Sequence, residues 1–346
     1  MGRRRSEIPL RPVVRPARGL LGCLVFARWI PSGLRRRLAR RAVVWTEDRR
    51  EGDPFTFTSR LAGLEYRGTL RSHLDAAVYF HGAFEKPLAC FLRDAAQGLR
   101  SGPRFREGGV PLHFWDVGAN VGQHSLVVSR HVDAVEAFEP FDEVADLLEG
   151  HVTRNGLGNV RLHRVALGET SERRGLLTPT TGNRGTAALA AEVEGAEPFA
   201  GPASQVLVRS GDEVAAELFP LGRDHAVGLI KIDVEGWERQ VLAGLAETLG
   251  ASRPVVVMEV SYAGPHAFRA RTELLEALPP DYVLLRFDTR KADGTKARRR
   301  QARARRTGAY RLVACDGWRS DSQDDLVACP SELMASLPRE GRGGLG

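Results

Sequence analysis

His113 to Pro140 reads HFWDVGANVGQHSLVVSRHVDAVEAFEP, and its pattern decides the fold. The apolar run Phe114 to Val117 ends in a glycine-spaced turn, passes into helical spacing, and is followed by a second apolar run that stops at Glu139. Strand, tight turn, helix and strand in that order open a nucleotide-type α/β fold, whose ligands lie beyond the carboxyl ends of the strands.

The residue types in the turn narrow the ligand. Gly118 and Gly122 allow positive φ and a close backbone approach, and Asn120 is the next best residue for a left-handed position. Asp116 sits at the strand end, where the pyrophosphate of a dinucleotide would have to lie. A carboxylate there repels phosphate and suits a ligand carrying an ammonium and a sulfonium. Glu139 falls at the tip of the second strand, within reach of a ribose diol. Together these point to S-adenosylmethionine. The structural alternative is an ordinary strand-to-helix turn, with Glu139-Pro140 merely ending a strand.

A second stretch, VGLIKIDVEGWERQVLAGL from Val227 to Leu245, repeats the logic. Val227 to Ile232 reads as a buried central strand interrupted by Lys231, and Trp237, Val241, Leu242 and Leu245 share one helical face. Asp233 and Glu235 then fall on the same sheet edge as Asp116 and Glu139. As plain structure, Asp233 would cap the helix and Glu235 would complement its dipole. Lys231 resists that account, because a cation near the end of a buried strand needs a partner. Pro254 to Val260 is the next strand, interrupted by Glu259, whose structural role would be to pair with Lys231. Tyr262 and His266 follow in a loop that could face a substrate.

Composition sets the bounds. The chain has 346 residues and 42% apolar content, enough for one large core with appendages or two small ones. Residues 1–41 hold twelve arginines against Glu7, and residues 290–306 hold nine basic side chains against Asp293. These segments carry +19 against +7 for the whole chain, which leaves −12 on the remainder. An acidic body with two basic appendages is not a nucleic-acid groove. Four scattered cysteines form no C-x-x-C pair, fit neither a zinc site nor a disulfide framework, and suit a reducing, cytoplasmic compartment.

The rest of the chain divides around these stretches. Residues 1–50 form a basic segment whose apolar run, Gly19 to Ile30, is too short to span a bilayer. With Leu34 to Val44 it could lie on an anionic membrane surface, or dock as a helix with its arginines solvated. Residues 51–112 read as an N-terminal lid: Phe55 to Gly68 as a hairpin or edge strands, then Ala77 to Leu99 with helical spacing through Leu88, Phe91, Leu92 and Ala95 and Pro87 in the first turn of that helix. In that lid His81 and Glu85 could border a site, although Glu85 reads better as a solvated acid at a helix start. The core spans 113–330, and residues 331–346 are a tail. Within the core, Val144 to Thr153 is a helix stopped by Asn155-Gly156, and Val160 to Leu167 is a third strand. Thr178 to Leu189 is a loop offering Asn183, Arg184 and Thr186 to a substrate. Val206 to Val208 is a short strand before a helix at Gly211 to Leu218, and Tyr282 to Phe287 and Leu326 to Ala328 are the last two strands. The basic insertion between those two has no apolar period and reads as a flexible excursion.

The residues now carry a nameable resemblance. Asp116-Val117-Gly118-Ala119-Asn120-Val121-Gly122, Glu139-Pro140, Ile230 to Glu238 (IKIDVEGWE) and Met258-Glu259-Val260 occur in the order and spacing of the FkbM family. Gly82 to Glu85 and Asp325 to Ala328 also resemble family positions. The resemblance implies a three-layer, Rossmann-like class I methyltransferase sheet of seven strands, the last antiparallel. It also implies S-adenosyl-L-methionine as cofactor, and O-methylation of a small-molecule or glycan acceptor. Asp116, Gly118, Asn120, Gly122, Glu139 and Ala166 fall to the cofactor side. Asp233 and Glu235 are candidates for the base that an attacking hydroxyl needs, with Lys231 beside them and His266 as an alternative. A hard cation such as Mg²⁺ could instead gather Asp233, Glu235 and Glu259, although metal independence is the expectation.

Overall fold

The structure, a computed structural model, describes residues 56–177, 188–189, 204–219, 227–264, 266–290 and 297–345. It divides into two units, one holding the described residues up to Phe84 and the other Glu85–Leu345. The basic segment 1–50 and the substrate candidates Asn183, Arg184 and Thr186 lie outside the described residues. Among the described residues no helix is long and apolar enough to cross a membrane.

The first unit is a hairpin followed by a helix. Strands β1 (Thr56–Leu61) and β2 (Leu64–Thr69) pair antiparallel from Thr56 opposite Thr69 to Leu61 opposite Leu64. The two-residue turn Ala62-Gly63 has positive φ at both positions, the twist a tight hairpin requires. Helix α1 (His73–His81) is capped by the Ser72 hydroxyl, which accepts from the Asp75 N–H at 3.2 Å. Asp75 is buried and accepts from the Thr69 N–H at 3.0 Å and from the Tyr66 hydroxyl, tying the helix back onto β2. Gly82 ends α1 in a left-handed conformation. Gly82 and Glu85 both have positive φ and separate α1 from the helix that follows, the one whose first turn Pro87 is expected to fill.

The second unit begins with α2 (Lys86–Ser101), in which Pro87 occupies the first turn as expected, and the short α3 (Pro103–Arg106). The core unit follows: β3 (His113–Val117), α4 (Gln123–Val128), β4 (Ala134–Phe138), α5 (Asp142–Arg154) and β5 (Val160–His163). Next come β6 (Ala166–Gly168), β7 (Glu172–Leu177), β8 (Ala188–Leu189), β9 (Ser204–Ser210) and α6 (Gly211–Leu218). They lead to β10 (Val227–Ile232), α7 (Glu238–Ala243), α8 (Ala246–Ser252), β11 (Val255–Ser261), α9 (Arg271–Glu276) and β12 (Tyr282–Phe287). The chain closes with α10 (Arg298–Thr307), β13 (Tyr310–Ala314), β14 (Gln323–Pro330) and β15 (Glu340–Gly341).

The main sheet has the order β15-β13-β12-β14-β11-β10-β3-β4-β5, nine strands rather than the seven expected. β14 runs antiparallel to both β11 and β12, while β3, β4, β5, β10 and β11 are mutually parallel. The two additional strands, β13 and β15, extend the β12 edge antiparallel. One face of the sheet packs Trp115, Val117, Ile230, Ile232, Val256 and Met258 against Val214, Trp237, Val241, Leu242 and Leu245, so α6 and α7 lie there. Phe91 of α2 meets Phe287 and Tyr310 edge-on. Helical stripes on sheet faces of this kind are what bury the central strands to near zero exposure.

Two expectations change. Val160 to Leu167 is not one strand: β5 ends at His163, and β6 leaves the main sheet to pair with β9 in a second sheet of order β6-β9-β7-β8. The basic insertion is not a structureless excursion over its described part, since residues 298–307 form α10. Arginine, alanine and glutamine are good helix formers. The Gln301 side chain donates to the Thr289 carbonyl at 3.2 Å, and Arg300 pairs with Asp288, which holds the helix start to the end of β12.

Glu136 of β4 is fully buried, and its carboxylate takes the Arg161 guanidinium at 2.9 Å and His163 Nε2 at 2.7 Å, with His113 Nδ1 at 3.7 Å. Burial alone would raise its pKa, but the two histidines and Arg161 outweigh burial and hold it below the usual carboxylate range. Glu136→Gln is expected to lower the unfolding free energy by about 1–3 kcal/mol at neutral pH. Urea denaturation across pH measures this, and the difference from the parent should shrink below about pH 4.3, because a depressed carboxylate contributes stability above its unfolded pKa and loses it on acidification.

Candidate active site

The site lies at the carboxyl edge of β3, β4, β10 and β11. Gly118 and Ala119 donate their N–H groups to the Phe138 carbonyl at 3.0 and 2.9 Å, so the turn after β3 bends onto the end of β4. Gly118 has φ of +74°, and a methyl group there would collide with the Asp233 carbonyl, so only glycine lets the turns after β3 and β10 pack this closely. Asn120 takes φ of +53°, and its side chain accepts from the Val121 N–H at 2.8 Å. Gly122 starts α4 at φ of +81°, with Leu148 of α5 filling the space a Cβ would need.

Glu139 stands at the tip of β4, and its two carboxylate oxygens accept from the Asn120 N–H at 2.9 Å and the Phe141 N–H at 3.0 Å. These bonds fix the carboxylate and leave lone pairs on both oxygens. Burial pushes its pKa up to about 7, against the pull of the two backbone donors and Lys231. Ala166 is buried at the start of β6, opposite Val208 of β9.

Asp116 and Lys231 occupy paired positions on β3 and β10, so their side chains leave the same face of the sheet. Both are buried, at 0% and 3% exposure. Lys231 Nζ lies 3.5 Å from Asp116 Oδ1 and 3.3 Å from Asp233 Oδ2, and donates to the Gly118 carbonyl at 2.9 Å. Asp116 Oδ2 accepts from the Ser125 hydroxyl at 2.7 Å. Burial alone would discharge the lysine, yet the charges of Asp233 and Asp116 reverse that and hold its pKa above the ordinary value. Lys231 is therefore a fixed cation rather than a proton acceptor. His124, in the first turn of α4, is pushed down to about 3 by burial and by the Lys231 charge, and stays neutral.

Beyond Lys231 the same edge turns acidic. Lys231 pairs with Val257 and Val257 with Val327, and one step toward the edge Glu259 of β11 sits directly opposite Asp325 of β14. Like charges opposed on neighbouring strands destabilise a sheet. Burial, then Asp233 and Asp325, push Glu259 up to about 8, while burial, then Asp233 and Asp324, push Asp325 up to about 7. Glu85, half-buried in a left-handed conformation ahead of α2, is raised well above the usual range by burial, then by Asp325, Asp233 and Glu259. It is not the solvated helix-start acid expected.

Two of the plain structural roles expected, for Asp233 and for Glu259, do not hold. Asp233 does not cap α7: the Glu238 carboxylate accepts from the Val234 and Gly236 N–H groups, and Asp233 pairs with Lys231. Glu259 does not pair with Lys231; its Oε1 accepts from the Gln323 side chain at 2.5 Å. Glu235 has φ of +53° in the turn after β10, and burial and Asp233 raise its pKa. His266 lies outside the acidic row, with Nδ1 3.0 Å from Gln240 Nε2 and its ring edge-on to Trp237. Asp325 is the member that reasoning from sequence passes over as a site residue, and Glu85 is weighed there but set aside as a solvated acid. The doublet Asp324-Asp325 leading into an apolar strand was the available signal. Among the described residues no group of three or more His, Cys, Asp or Glu side chains is arranged to hold a metal ion.

Comparison with known proteins adds a family match over part of the chain. No curated protein matches the chain. The methyltransferase FkbM from Methylobacillus flagellatus is a similar solved structure, at 18% identity over 65% of this chain and 46% of that one, with a TM-score of 0.36. A SAM-dependent methyltransferase from Agrobacterium tumefaciens is 11% identical over 82% and 72%, with a TM-score of 0.40. An O-methyltransferase from Bacillus cereus is 11% identical over 74% and 88%, with a TM-score of 0.37. The chain thus spans less than half the length of the first of these structures. Residues 116–279, which hold the glycine turn, Glu139, Lys231, Asp233 and Glu259, match the family model described as the methyltransferase FkbM domain.

Proposed function

We propose that the protein transfers a methyl group from S-adenosylmethionine to a hydroxyl on a sugar, glycan or natural-product acceptor. The carrying observation is the row of carboxylates Asp233, Glu259 and Asp325 on adjacent strand ends, with Glu139 and the glycine turn on the same edge and Lys231 as the cation set against them.

The residues present fit the cofactor. Glu139 has open lone pairs on a carboxylate already fixed by two backbone donors, as ribose hydroxyls require, and one of those donors, the Asn120 N–H, comes from the turn between Gly118 and Gly122. The acidic edge has a field suited to a sulfonium. When bound, S-adenosylmethionine supplies an electrophilic methyl group.

The chain's own residues do the rest. An alcohol attacks well only as its proton leaves, so a base must stand within hydrogen-bond reach of it. Glu259 and Asp325, held near neutrality by burial and by Asp233, have the proton affinity a general base needs, whereas Lys231 keeps its proton and fixes Asp233 and the Gly118 carbonyl in place. Much of the acceleration then comes from holding the hydroxyl in line.

Glu139→Gln is expected to weaken S-adenosylmethionine binding by about ten- to a hundredfold in calorimetry. In the parent, affinity should rise with pH through about 7 as Glu139 ionises, and this rise should be absent from the variant. Unchanged affinity and pH dependence would remove Glu139 from the cofactor site.

Asp325→Asn should lower kcat more than it changes cofactor affinity, and should flatten the rise of kcat through about pH 7. The same substitution should raise the Tm of the ligand-free protein by about 2–4 °C at pH 8. An acid whose folded pKa is raised stabilises the fold relatively at low pH and loses that advantage as pH climbs from its unfolded value of about 3.9 toward the folded one. Thermal unfolding of both proteins at pH 5 and pH 8 measures the sign.

A further inference from the structure

Helix α10 is the most strongly charged surface among the described residues that the reaction does not use. Its sequence is RRRQARARRT, no residue of it is buried, and Arg298, Arg299, Arg303, Arg305 and Arg306 are all exposed with no acidic partner among the described residues. At 3.6 residues per turn these five guanidinium groups fall within an arc of roughly 160°. Arg300, Gln301, Ala304 and Thr307 take the remaining side. Arg300 pairs with Asp288, and Gln301 reaches the Thr289 carbonyl.

The helix is anchored at both ends, so its charge is presented in a fixed direction. Its start is held to the end of β12 by these two side chains. At its finish, Lys86 Nζ donates to the Arg306 carbonyl at 3.3 Å, and Gly308 has φ of +81°, packed so closely on Cys90 that a methyl group there would collide with its sulfur. Lys86 is the first residue of α2, next to Glu85 of the acidic row. The carbonyl end of α10 is therefore tied to the residue that follows Glu85.

We infer that α10 docks the protein on an anionic lipid surface, with the carboxyl edge of the sheet turned toward the headgroups. Charge complementarity carries this. Five guanidinium groups on a helix about 15 Å long match a plane of phosphates, and the acidic interior keeps those phosphates at the rim. A nucleic-acid surface fits less well, because the outward face offers no aromatic side chain for stacking and no amide for reading base edges.

Flotation of the full chain with vesicles of phosphatidylcholine containing phosphatidylglycerol, and of phosphatidylcholine alone, tests it. The parent should float with the anionic vesicles only, and should be released by high salt. The triple variant Arg299→Gln, Arg303→Gln, Arg306→Gln should lose roughly a hundredfold in partitioning, with Tm and S-adenosylmethionine affinity unchanged. The matching triple lysine variant should float like the parent, which separates lost charge from lost structure. Parent protein that stays down, a glutamine variant that floats as well as the parent, a lysine variant that fails, or a duplex DNA that binds through α10 while vesicles do not, would each overturn the inference.

Discussion

The buried ammonium of Lys231 is the constraint on which the site depends. An unpaired charge at that depth would cost several kcal/mol, so its neighbours are dictated: Asp116 from β3, Asp233 from the end of its own strand, and the carbonyl of Gly118. One cation thereby joins the turn after β3 to the turn after β10. The exclusion of any side chain at Gly118 completes the join from the backbone side. Those two turns, with the carboxylate of Glu139 pinned between two backbone N–H groups, give the edge a shape that does not wait for a ligand.

The acidic row works in the opposite sense. Glu259 and Asp325 are opposed on neighbouring strands, Glu85 is brought in by a left-handed backbone ahead of α2, and Asp233 is shared with the lysine. Burial and repulsion from neighbouring carboxylates raise the pKa of Glu85, Glu259 and Asp325, a cost a purely structural sheet edge would avoid by placing apolar residues there. Stability given up at the strand ends is offset by the near-zero exposure of the core behind them, from Trp115 through Ile232 to Met258.

How much of this could be read from the sequence follows from which contacts are local. The glycine turn, the strand interrupted by Lys231, and the shared face of Trp237, Val241, Leu242 and Leu245 are legible because each is a pattern within a few residues. Asp325 is not, because its meaning comes from an antiparallel register that sets it opposite Glu259, and register is a tertiary property. Glu85 is misread for the same reason: its position looks like a helix start, and only the fold shows which charges surround it. The split of Val160 to Leu167 is set by β9, which draws β6 into another sheet. A helix without an apolar period, such as α10, is invisible to pattern and is held by contacts at its two ends.

That helix hangs from the connection between β12 and β13, two antiparallel neighbours near the outer edge of the sheet. A link between such strands can lengthen or shorten without disturbing any pairing, and closing a longer one adds little entropy cost. An appendage of this kind is a replaceable fitting: it can be acquired, traded or discarded while the pairing of the other strands stays as it is.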